Sequence, residues 1–104
     1  MKHTVVTKEN FETEALKYER LAVVDFWATW CGPCRMIAAE FDSLPDTDGV
    51  KLCKVNVDEQ PELADAFRVN AIPTLAFIKG GKMIYRHEGY LKADRLKRLF
   101  EQYR

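Results

Sequence analysis

Leu21 to Trp27, LAVVDFW, is apolar at every position but Asp25. A strand that shows one face to water alternates apolar and polar residues, so an unbroken apolar run has to be covered on both faces. Its neighbours must then supply helices above and below a sheet. They are present in the sequence. Thr7 can cap a helix carrying Phe11, Ala15 and Tyr18 on one side. A second helix is expected from Cys31 to Leu44, with Ile37, Phe41 and Leu44 at i, i+4 and i+7 and Pro45 as its stop. Thr4–Val6 and Val50–Val57 read as further strands, and PELADAF opens a helix with Pro61 in its first turn. Thr74–Ile78, the Gly80-Gly81 turn and Lys82–Glu88 read as an antiparallel hairpin. Leu96, Leu99, Phe100 and Tyr103 form the stripe of a last helix. The order βαβαβαββα predicts an α/β protein, with one mixed five-stranded sheet flanked by four helices.

At 104 residues the chain is expected to be a single domain, residues 1–104. Sixteen Lys and Arg balance sixteen Asp and Glu, which argues against nucleic acid or an anionic membrane as the main partner. No apolar stretch approaches the length that spans a bilayer. MKHTVVTKEN lacks the apolar run of a signal peptide, so a cytoplasmic location is expected. In that compartment three cysteines are better suited to redox or metal chemistry than to a disulfide framework.

Two of the three stand in WCGPCR, Trp30 to Arg35. As a structural clip, so short a loop contributes only about 2 kcal/mol. A zinc site needs about four ligands, yet Cys53 stands alone and His3 and His87 are not at ligand spacing. Haem attachment requires His where Arg35 stands. A redox couple fits better. Pro33 is tolerated only in a first helical turn, so the helix begins near Cys31. That puts Cys31 beside unpaired N–H groups that stabilise a thiolate, with Cys34 one turn further in. One thiol attacks and the other resolves.

VVDFWATWCGPCRMIA, VNVDEQPELADAF, AIPTLAFIKGGK and EGYLKADRLKRLF together resemble the thioredoxin family in order and spacing, across nearly the whole chain. The resemblance implies the thioredoxin fold and a protein-disulfide reductase that carries two electrons through a redox-active Cys31–Cys34 disulfide. Asp25 matches the acid that takes the resolving thiol's proton, although a hydrogen-bonded structural carboxylate is the other reading of an acid in a buried strand. Lys54 matches the lysine near that acid. Pro73 matches a cis-proline facing the active site, and Ile72 would offer its backbone to an extended substrate segment. Trp30, Gly32, Pro33 and Gly89 complete the expected substrate surface. Trp27 matches a packed indole, whereas Cys53 reads as a small buried apolar residue and His87 as a solvated one. The resemblance further implies a monomer with two kinds of partner: disulfide-containing proteins and a thioredoxin reductase, NADPH- or ferredoxin-linked. It implies no bound cofactor or metal.

The chain departs from the family pattern in places. Arg35 replaces the usual lysine, Ala39 stands where many members have a helix-kinking proline, and several residues are missing between Phe41 and Val50. Ala71 replaces a common glycine, and Glu88 puts a charge at an often apolar rim; these two bear on partner choice. Two rivals remain: an oxidase or isomerase on the same fold, and a non-catalytic docking module.

Overall fold

A computed structural model describes all residues, Met1–Arg104. Its elements are β1 (His3–Val5), a single π-helical turn (Glu12–Leu16), β2 (Leu21–Trp27), α1 (Gly32–Asp42), β3 (Val50–Asn56), α2 (Pro61–Ala66), β4 (Thr74–Lys79), β5 (Lys82–Glu88) and α3 (Ala93–Tyr103). The five strands form one mixed sheet in the order β1-β3-β2-β4-β5. β1, β3 and β2 run parallel, while β4 is antiparallel to both β2 and β5. The parallel pair β2–β3 is linked through α1 and the hairpin through Gly80 and Gly81, whose φ angles of +64° and +77° suit a tight turn.

The apolar run of β2 is buried on both faces, as its composition requires. Leu21 and Val23 face one side, packed with Ile37 and Phe41 of α1 and Leu96, Leu99 and Phe100 of α3. Ala22, Val24 and Phe26 face the other, packed with Phe11, Ala15 and Leu63. α1 and α3 therefore cover one face, while the π-helical turn and α2 cover the other.

Two helices are shorter than their periodicity suggests. The Thr7 hydroxyl accepts no backbone N–H; its own N–H is donated to Asn10 Oδ1 at 2.7 Å, and Asn10 Nδ2 donates to Val5 O. Asn10 thus reaches back three residues to the Thr7 amide, as the third residue of a capping box does, and the backbone is helical from Phe11, widening to a π turn over Glu12–Leu16 with Phe11 and Ala15 buried. Tyr18 lies beyond it, with Lys51 Nζ 5.1 Å from its ring centroid. α1 stops at Asp42, before Pro45, and is continuous through Ala39.

Candidate active site

Cys31 is the N-cap of α1, with extended backbone (φ −92°, ψ 112°), and its sulfur accepts the Cys34 N–H at 3.1 Å. Pro33 in the first turn permits this start because its missing N–H has no helical partner to lose. Cys31 and Cys34 are joined in a disulfide with Cα atoms 5.2 Å apart, within the ordinary range for such a bond. Both are largely buried, at 5% and 2% exposure, and pack with Ala28, Trp27, Val57 and Ile72.

Several of the sequence-predicted residues meet around this pair. Cys31 Sγ lies 3.7 Å from Ile72 O. The Ile72–Pro73 peptide bond is cis, and Pro73 O accepts the Gly89 N–H at 2.8 Å. Gly89 has φ +100°, a conformation that glycine adopts without a Cβ penalty. Gly32 and Pro33 form the first turn over the sulfurs. Trp30 is 68% exposed, and its indole N–H donates to Asp58 Oδ2 at 2.9 Å. Asp58 was not singled out from the sequence; its carboxylate sits just past β3, and only the folded chain shows which side chain it holds. Arg35 Nη1 donates to Thr29 O at 3.0 Å, so the side chain folds back across the mouth of the turn. None of the three surface pockets is lined by either cysteine.

Asp25 is 1% exposed, and neither carboxylate oxygen has a hydrogen-bond partner. Its face follows from the two-residue period of a strand. Leu21 and Val23 pack under α1, so Asp25 continues that row. The row climbs β2 while α1 returns in the opposite direction. Leu21 and Val23 therefore match Phe41 and Ile37, and Asp25 comes level with the Cys34 end of the helix. Lys54 stands directly opposite Asp25 in the β2–β3 register, on the same face. Burial pushes the Asp25 carboxyl up from 3.8 to about 7, with the Lys54 charge pulling it back.

The remaining candidates are apart. Cys53 is fully buried on the opposite face, where burial pushes its thiol up to about 11, Lys51 lowering and Glu14 raising it. His3 and His87 lie on β1 and β5, the two edges of the sheet.

The family model described as Thioredoxin matches residues 2–102. The chain belongs to the thioredoxin family. A thioredoxin of Chlorobaculum thiosulfatiphilum is 36% identical over 104 residues, covering 98% of this chain and 96% of that protein. Another, from Alicyclobacillus acidocaldarius, is 40% identical over 93 residues, covering 88% of each. Among solved structures, a Malassezia sympodialis thioredoxin superposes with a TM-score of 0.86 at 35% identity, covering 98% of this chain and 90% of that one. With its paired cysteines in place, this member of the family is a thiol–disulfide oxidoreductase, and its partners are a reductase and disulfide-bearing proteins. No helix is long and apolar enough to cross a membrane.

Proposed function

We propose that Cys31 is the attacking thiol and Cys34 the resolving one. The observation that carries this reading is the place of Cys31 at the N-cap, its sulfur accepting the Cys34 N–H. In the reduced protein the same amide and the helix dipole favour a thiolate there. The Cys31 thiolate attacks one sulfur of a substrate disulfide. A Cys31–substrate bond forms, the substrate bond breaks, and the released sulfur leaves as a thiolate. Asp25 takes the proton of Cys34; a carboxyl with a pKa of about 7 is matched to this task near neutral pH. The Cys34 thiolate then attacks Cys31, closing the Cys31–Cys34 bond and releasing the second substrate sulfur. The substrate has gained two electrons and, once its thiolates are protonated, two protons. Lys54 holds Asp25 in the range where it can both accept and return a proton.

Trp30, Gly32, Pro33, Ile72, Pro73 and Gly89 form the surface on which an extended substrate segment lies. Ile72 offers its backbone carbonyl beside the Cys31 sulfur, a position supported by their 3.7 Å separation. The two electrons return from a thioredoxin reductase, NADPH- or ferredoxin-linked. The protein acts in the cytoplasm as a monomer and one domain over residues 1–104. Reduction of insulin disulfides by the dithiothreitol-reduced protein tests the direction of exchange. Insulin should precipitate at a rate well above the reagent alone, and a Cys31→Ser variant should give only that background. Wild-type protein no faster than background would favour a docking module instead.

A further inference from the structure

Glu40, on the third turn of α1, uses both carboxylate oxygens on a segment fifty residues away. Oε2 accepts the Tyr90 hydroxyl at 2.8 Å, and Oε1 accepts the Ala93 N–H at 2.8 Å. Ala93 opens α3, whose N-cap residue Lys92 makes no side-chain capping bond. The amide that a local cap would leave to water is thus held from the redox helix, and a negative charge stands at the positive end of α3. Tyr90 directly follows Gly89, and the Gly89 N–H is fixed to Pro73 O.

These contacts close a circuit. Cys31 abuts Ile72, Ile72 leads through the cis bond to Pro73, Pro73 holds Gly89, Tyr90 holds Glu40, and Glu40 returns along α1 to the cysteines. The segment Gly89–Lys92 is tied at one end to the cis-proline loop and at the other to the helix carrying the thiols. Glu40 and Tyr90 are both half-buried, so water competes for these bonds only in part.

We propose that Glu40 is a positioning residue for protein substrates, which, through Tyr90 and the start of α3, sets the separation between the Gly89 rim and the Cys31–Cys34 pair. This rests on the reading above that Ile72, Pro73 and Gly89 line the substrate surface. A protein disulfide has to fit across that separation, whereas a small disulfide reaches Cys31 alone. Glu40 touches neither sulfur, so the chemistry of exchange is left as it is.

The test compares steady-state reduction of insulin with that of oxidised glutathione, in wild type, Tyr90→Phe, Glu40→Ala and Glu40→Gln. Tyr90→Phe removes one hydroxyl and keeps the ring, so it should fold even where Glu40→Ala does not. Tyr90→Phe and Glu40→Ala should raise KM for insulin about threefold or more. Their kcat, their rates with oxidised glutathione and their Cys31–Cys34 potential should stay within about twofold of wild type or its equivalent. Glu40→Gln should restore KM, because an amide oxygen can accept the Ala93 N–H while its NH2 donates to the tyrosine hydroxyl. An unchanged KM for insulin in folded Tyr90→Phe and Glu40→Ala, with only a lowered melting temperature, would overturn the proposal and leave Glu40 as a cap. Ile72→Asp separates that result from failure of the underlying reading. It raises KM for insulin if the surface is as described, and leaves it unchanged if substrates dock elsewhere.

Discussion

Both oxygens of Asp25 are buried without a partner, so ionising this group costs more in the folded chain than in water. Burial raises its pKa from 3.8 to about 7 against the opposing pull of Lys54. Between these values the folded protein holds a proton that the unfolded chain has released. Stability therefore falls as pH rises through this window, and above pH 7 the full cost remains, on the order of 4 kcal/mol. Asp25→Ala should accordingly be more stable than wild type at pH 8, by roughly 2–4 kcal/mol once lost packing is allowed for. The gap should close towards pH 4, as measured by denaturant unfolding of the oxidised proteins. A variant less stable than wild type at pH 8 would make Asp25 a structural carboxylate. An acid in an otherwise apolar strand was legible from sequence alone, because so few residue types tolerate that place. The bonds of Asp58 to Trp30 and of Glu40 to Tyr90 were not. Each residue is of an ordinary surface type, and its partner is distant along the chain.

α1 owes its start to Pro33 and Cys31, and this start was readable because proline in a helix has so few allowed positions. Its end was read two residues too far, since the periodicity of Leu44 continues past the last helical bond. The first helix stops early for a different reason: it widens to a π turn over Glu12–Leu16 and ends at Lys17, which apolar spacing alone does not reveal, so Tyr18 lies outside it. α3 has a strong apolar stripe but no local cap, and Glu40 supplies one across the molecule. Glu40→Ala should therefore lower stability by about 1 kcal/mol at neutral pH, by loss of the cap and of its favourable charge at the helix N-terminus. Urea unfolding followed by far-UV circular dichroism measures this, and an unchanged midpoint would mean that water replaces the carboxylate at no cost.

At the scale of the whole molecule, a sheet covered on both faces holds the paired cysteines where β2 hands over to α1. The apolar run of β2 made this layering legible, because a strand apolar on both sides needs a layer over each. That Ile72 lies beside the Cys31 sulfur was legible only through family resemblance, since nothing in their spacing along the chain brings the two together. The proposed mechanism divides the work between one attacking sulfur, Cys31, and one resolving sulfur, Cys34, while Cys53 is buried on the opposite face of the sheet. Trapping tests that division most directly. Cys34→Ser, reduced, freed of reductant and mixed with a disulfide-bearing protein, should accumulate a mixed disulfide joined through Cys31, identified by mass mapping on a non-reducing gel band. The wild type should accumulate none, because Cys34 resolves it. Trapping through Cys53, or no trapped partner while Cys31 is still open to alkylation, would contradict the two-thiol mechanism.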